Sequence, residues 1–292
     1  MPVGSETSGL VCHIVMDDGR DNRLSRDMCD ALSRKLTEAF QDETVAIVLL
    51  SGRGNYFSAG YDLGGLSSEA NQNALFQLVD LLSDAPKPVI AGLQGDAFGA
   101  GLEISMLCAF RLAASGVSVG FPDVLHGLPT GAGATQTLPR TLGASRSLQI
   151  ILSGEAVGAS ELGAVIDAEF EGDFLNGAMR FAETLAEQNL GPISIADRLE
   201  GFADPSAYQR ALVAARDASS AKVNEDIIGA VESALLLPFS SGMAMEREVF
   251  RNAEARLKAR ARRHLVHQRW LLARQANGGD IAKVAVIGDG EL

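Results

Sequence analysis

Apolar runs alternate with amphipathic stretches along roughly the first two thirds of the chain. "GLVCHIVM" reads as a strand and is ended by the turn-rich "DDGRDN". Ser25 then caps a helix whose apolar side runs through Met28, Leu32, Leu36 and Phe40. "VAIVLLS" (Val45–Ser51) is a buried strand, followed by the glycine-rich loop "GRGNYFSAGYDLGG". A helix around Ser68 to Leu82 precedes the buried strand of "KPVIAGLQG", and the turn "DAFGAG" opens a further helix, "LEISMLCAF". The same order of strand, loop and helix returns through "VSVGFPDV" and the segment after Pro129. The alternation predicts an α/β layered domain.

From about Asp173 onward the strand signals nearly vanish. Asp173–Asn189, Ala207–Asp217, Glu225–Leu236 and Ala244–Gln275 read as helices, with Gly191-Pro192 and Leu237-Pro238 as breaks. A boundary is expected near residue 195, with an α/β core over 1–195. A helical C-terminal part with a short strand-like tail follows over 196–292.

The chain has 292 residues, 47% of them hydrophobic, enough for a substantial core. A formal charge of −12, spread along the chain, disfavours nucleic acid and anionic lipid as partners. An anionic ligand would have to be met by local basic groups or helix N-termini. Cys12, Cys29 and Cys108 show no paired spacing, which suits a reducing compartment. The four histidines include no metal-binding spacing; His264 and His267 lie within a run of arginines that would repel a cation. The start, "MPVGSETSGL", has no basic-then-apolar leader, and no apolar stretch is long enough to span a membrane. A cytoplasmic location is the expectation.

Three stretches carry candidate chemistry. "NYFSAGYDL" is a glycine-containing loop directly after a buried strand, which alone is an ordinary turn. "KPVIAGLQGDAFGAGLEISMLC" sets Glu103 in the opening turn of a helix, where a carboxylate also suits the helix dipole. "GFPDVLHGLPTGAGATQTLPRTLG" contains a single acid, Asp123, open to reading as a turn-former or cap. Together, and in order from "DNRLS" through "ILSGEAVGASELGAVID", these stretches resemble the crotonase superfamily, the enoyl-CoA hydratase/isomerase family.

The resemblance implies a crotonase-like spiral of repeated ββα units and a coenzyme A thioester as substrate, with no separate cofactor and no metal. It also implies an oxyanion hole of two backbone N–H groups, at Tyr61 and Ala100. Many relatives have Gly at the second position, and Ala restricts φ there. Glu103 falls on the first catalytic glutamate of the hydratases and Asp123 on the second, one methylene shorter. Two carboxylates around one water repel, so one should hold a proton near neutrality. Glu103 would then help take a proton from water while Asp123 delivers one to the α-carbon. Substrate contacts are expected from Ser58, Ala59, Gly60 and Asp62 of the "SAG" loop and from Arg23, which could meet a phosphate. Phe98 and Phe121 would line an acyl tunnel or simply pack, and His126 could reach the pocket. Ala109 stands where relatives often carry Asp, which removes one polar contact.

The basic stretch "SGMAMEREVFRNAEARLKARARRHLVHQRWLL" is similar to the linker of bifunctional fatty-acid oxidation enzymes, and "IAKVAVIGDGEL" to the first strand of their dehydrogenase half. A dinucleotide site needs ~30 residues and a helix after that strand, so no NAD site is assigned. The tail reads as a remnant, a small extra strand or the end of a shortened chain. Relatives with a helical C-terminal part commonly form trimers or dimers of trimers, and a homo-oligomer is expected; residues 244–275 could equally pack back onto their own core, as in the bifunctional relatives. The leading expectation is hydration of a 2-enoyl-CoA, reversible as dehydration of a 3-hydroxyacyl-CoA. Double-bond isomerisation through Asp123 alone is the near rival. Hydrolysis or decarboxylation of a CoA ester would be favoured if His126 or Tyr61 enters the pocket. A non-catalytic acyl-CoA-binding protein is the alternative of another class.

Overall fold

The computed structural model of the chain describes residues 2–256 apart from 66, 189, 192 and 220, and beyond them residues 260, 261, 264, 265 and 268. The strand-like tail, and most of the stretch read as helix beyond residue 256, lie outside the described residues. Among the described residues no helix is long and apolar enough to cross a membrane.

Six strands form the main sheet in the order β1 (Val3–Ser8), β2 (Val11–Met16), β3 (Ile47–Gly52), β5 (Val89–Leu93), β7 (Phe110–Ala114) and β10 (Ala168–Phe170). β1 pairs antiparallel with β2, and the remaining neighbours are parallel. A second sheet holds β4 (Tyr56–Ser58), β6 (Asp96–Phe98), β8 (Ser118–Gly120) and β9 (Val157–Gly158). The topology explains the repetition in the sequence. β3, β5 and β7 each lead into a short partner, β4, β6 or β8, in the second sheet. The chain then returns through α2 (Glu69–Ser83), α3 (Ala100–Leu107) and α4 (Ala134–Ser153) respectively. Each ββα unit therefore advances one strand across both sheets, which is the expected spiral.

β3 shows why such strands read as unbroken apolar runs. Val48 and Leu50 point into the main core, whereas Ile47 and Leu49 point to the opposite face. That face is covered by α5 (Phe174–Glu187), whose buried stripe is Phe174, Gly177, Ala178, Ala182 and Ala186. With both faces covered, alternation in sequence is lost. α1 (Arg26–Gln41) begins as expected, with the Ser25 side chain accepting from the Met28 amide.

The C-terminal helices are α6 (Pro205–Ala218), α7 (Lys222–Leu236) and α8 (Phe239–Ala255). Tyr208, Leu212, Ile227, Ile228, Val231, Met243 and Phe250 belong to the same hydrophobic cluster as the strands and α1–α4. The core is therefore continuous across residue 195. Arg111, 1% exposed, reaches the carbonyls of Cys108 and Ala109 beyond the end of α3 and pairs with Asp167. This is a structural tie beside Ala109.

Candidate active site

The "SAG" loop follows β4 and meets the N-terminal end of α3. The Leu24 amide donates to the Gly60 carbonyl at 2.9 Å, so the planar peptide directs the Tyr61 N–H away from Leu24. Across the gap, the Glu103 amide donates to the Gly99 carbonyl at 3.0 Å as the first bond of α3. The Ala100 N–H thus sits at the open end of that helix, among the first-turn donors that lack an intrahelical acceptor. The two amides adjoin: a Cβ placed on Gly60 would come within 3.5 Å of the Ala100 nitrogen and 2.7 Å of the Phe98 carbonyl oxygen. Gly60 (φ +87°) and Gly99 (φ +48°) take the left-handed conformations that this approach requires. Ala100 is not strained, because Asn22 is the one non-glycine residue with positive φ among the described residues.

Asp123 follows Pro122 in a short 3-10 turn, Pro122–His126, that ends in the left-handed Gly127. Its side chain does not cap that turn. Oδ2 is buried without a hydrogen-bond partner, and it lies directly against Cα of Gly99, where any Cβ would overlap it. Burial and the nearby Glu103 carboxylate push the Asp123 pKa up to about 7, against a smaller opposing pull from Arg23.

A cavity of about 290 Å³ opens here, walled by Arg23, Ala59, Tyr61, Asp62, Phe98, Asp123 and His126 together with Asp21, Tyr56, Leu63 and Pro122. Among the residues expected at the substrate, Ser58, Gly60, Ala100 and Phe121 are not walls. The Ser58 hydroxyl is enclosed and accepts from the Gly60 amide, which shapes the loop, and Phe121 is fully buried in the core. Arg23 is tied to Asp21 at 2.9 Å and donates to the Tyr61 carbonyl at 3.0 Å, so it braces the loop from the cavity wall.

Glu103 is fully buried and is not among the walls of this cavity. Its Oε2 accepts from the Tyr61 hydroxyl at 3.1 Å, and its Oε1 from the Ala132 and Ala134 amides at 2.9 and 3.0 Å. Tyr61 thus links the cavity wall to Glu103, with its ring stacked at 5.2 Å on Phe250 of α8. Burial raises the Glu103 pKa, opposed by these hydrogen bonds, and burial drives the Tyr61 pKa well above its usual value.

Sequence reasoning missed a third acid, Glu246 of α8, which is fully buried behind Glu103. It accepts from the Gly133 amide at 3.1 Å and from the Thr135 hydroxyl at 2.5 Å. Burial and the Glu103 charge push its pKa up to about 8. The missed signal was its position, since Gly242, Met243, Glu246, Phe250, Ala253 and, at the helix end, Glu254 form the buried stripe of α8. An acid on such a stripe needs a partner.

The family model described as enoyl-CoA hydratase/isomerase matches residues 6–222. The peroxisomal bifunctional enzyme of Cavia porcellus is 31% identical over 249 residues, covering 82% of this chain but 34% of that protein. The chain thus spans about a third of the length of that relative. A probable enoyl-CoA hydratase of Bacillus subtilis is 34% identical over 190 residues, 61% of this chain and 73% of that protein. A solved enoyl-CoA hydratase/isomerase from Pseudoalteromonas atlantica superposes with a TM-score of 0.70 at 20% identity, over 92% of this chain and 98% of that one, a likeness of fold. With the match running through both sheets and every residue around the cavity, the chain belongs to the enoyl-CoA hydratase/isomerase family and has its crotonase-like fold.

Proposed function

We propose that this chain binds the carbonyl oxygen of an acyl-CoA thioester on the amides of Tyr61 and Ala100 and moves a proton at the adjoining carbons with Asp123. The carrying observation is the buried, unpartnered Oδ2 of Asp123 in the cavity wall beside those amides. Removing a proton from carbon next to a thioester places negative charge on the carbonyl oxygen. Two fixed donors, one at a helix N-terminus, stabilise that enolate. A carboxylate with a pKa near 7 can accept the proton and return it.

This geometry supports isomerisation best. Ionised Asp123 takes a proton from C2 of a 3-enoyl-CoA, the electron pair moves through the enolate, and the same carboxyl group returns the proton to C4, leaving a 2-enoyl-CoA. One carboxylate in the cavity suffices. Hydration is the second reading, favoured by the presence of Glu103 at hydrogen-bonding distance from Tyr61. It requires the Tyr61 ring to swing aside so that Glu103 can hold the attacking water. Tyr61 and His126 both line the cavity, so thioester hydrolysis is distinguished by its products; the Tyr61 hydroxyl, however, is engaged by Glu103.

Incubation with 3-hexenoyl-CoA, and separately with crotonyl-CoA, in deuterated water followed by mass spectrometry tests the reading. Conversion of the 3-enoyl to the 2-enoyl thioester, lost in Asp123→Asn, is expected. Addition of water with deuterium at the α-carbon would replace isomerisation by hydration, and release of free acid would replace both by hydrolysis. Binding of the thioesters with no turnover and no deuterium exchange would leave a binding protein. Sedimentation in parallel tests the homotrimer or hexamer that accompanies this reading, and fractionation of the source cells tests the cytoplasmic location.

A further inference from the structure

The segment Gly131–Thr135 leads into α4 and presents a row of donors at the start of that helix. Glu103 takes the amides of Ala132 and Ala134, and Glu246 takes the amide of Gly133 and the hydroxyl of Thr135. Two fully buried carboxylates from α3 and α8 therefore hold alternate donors of one short segment. Like charges this close in a dry interior do not both ionise. The other groups around Glu246 supply no counter-charge. Tyr61 from the "SAG" loop is a neutral phenol bonded to Glu103, and Gln136 bonds Thr135, the Ala230 carbonyl and Ser233 of α7. On α8 itself the adjacent Arg247 pairs with Asp80 of α2. Among the described residues neither carboxylate has an ion-paired cation.

We infer that Glu246 is a positioning residue that shares a single buried proton with Glu103 across the start of α4, making α8 part of the active-site machinery. The three donors on Glu103 favour its ionised form, so the proton resides on Glu246. There the Thr135 hydroxyl serves as donor to the ionised acid or as acceptor from the neutral one. While the pair keeps its proton, one negative charge lies behind the Tyr61 ring. A second charge would oppose the enolate forming at the Tyr61 and Ala100 amides and raise the proton affinity of Asp123 further. The catalytic consequence rests on the reading proposed above; the shared proton does not.

Thermal melts between pH 6 and 9, on the wild-type protein and on Glu246→Gln and Glu103→Gln, test the shared proton directly. The native pair holds a proton that the unfolded carboxyls release near pH 4.5. Wild-type stability therefore falls as pH rises, until the pair itself ionises near pH 8. The melting temperature of wild type is expected to fall by about 2 °C between pH 7 and 8, and both variants should lose most of that fall, keeping only the smaller part that Asp123 contributes. A fall of the full wild-type size in both variants overturns the inference, whatever the protein turns over. In activity, wild-type kcat should decline above pH 8 and Glu246→Gln should lack that limb. Half a unit above the midpoint, where about a quarter of wild type keeps its proton, the variant's kcat relative to its own pH 7 value should be roughly fourfold higher than wild type's. An unchanged limb in Glu246→Gln, with the melts altered as expected, confines Glu246 to a structural role and removes the catalytic half of the inference.

Discussion

Asp123 is held in an environment that works against its charge. Its folded pKa is about 7 against 3.8 for the free side chain, so the native protein binds the extra proton between those values. Stability on its account therefore falls as pH rises from about 4 to about 7, by up to about 4 kcal/mol at 1.36 kcal/mol per pKa unit. Asp123→Asn should remove this loss. The variant should melt higher than wild type at pH 8, with the two closer at pH 5, while turnover drops by ~100-fold or more. Calorimetry at the two pH values checks the stability, and wild-type kcat/KM for isomerisation should rise through about pH 7 as the base ionises. Gly99 is the matching constraint. Gly99→Ala places a methyl group on the Asp123 carboxylate at φ +48°, and should cost about 1–2 kcal/mol of stability together with most of the activity. An active Gly99→Ala enzyme would show that the Asp123 carboxylate works from another position.

At the scale of elements, α8 closes the back of the site. Phe250 stacks on Tyr61, meets Phe76 of α2 edge-on at 6.3 Å, and lies where a Cβ on Gly131 would come within 2.5 Å of its ring. Phe250→Ala should lower stability by ~3–5 kcal/mol, measured by urea unfolding, and should free the Tyr61 ring. If hydration requires that ring to move, the same variant should raise the ratio of hydration to isomerisation. The long elements were legible because their patterns are local. The apolar runs of β2, β3 and β5, the Ser25 cap and the periodicity of α1, α5 and α7 need no tertiary information. β4, β6 and β8 have three residues each, too few for alternation to register, and in sequence two of them were buried in glycine-rich loops. Both acids and both amides were placed through family resemblance. The bonds of Glu103 to the Tyr61 hydroxyl and to the amides before α4 were hidden, because they join segments far apart in sequence. Glu246 was visible as an acid on an apolar stripe, but the donors it meets lie at the start of α4, and no local spacing links them to α8.

For the whole molecule, the net charge of −12 opposes the approach of the polyanionic thioester proposed as substrate. Long-range repulsion slows encounter and is screened over ~10 Å at 0.1 M salt. KM for an acyl-CoA should therefore fall, by a few-fold, as ionic strength rises from about 10 to about 150 mM. A rise in KM over that range would mean that local cations at the mouth, Arg23 among them, dominate the field. The continuity of the core also has a consequence in time. A chain is synthesised from its N-terminus and folds as it emerges. Glu103, Asp123 and both amides leave the ribosome well before α8, and until that helix arrives the back of the Tyr61 ring and the start of α4 have no cover. A nascent chain that stalls short of residue 250 therefore carries every residue of the cavity wall yet lacks the helix that holds the wall in place, so competence comes only once the closing helix has docked.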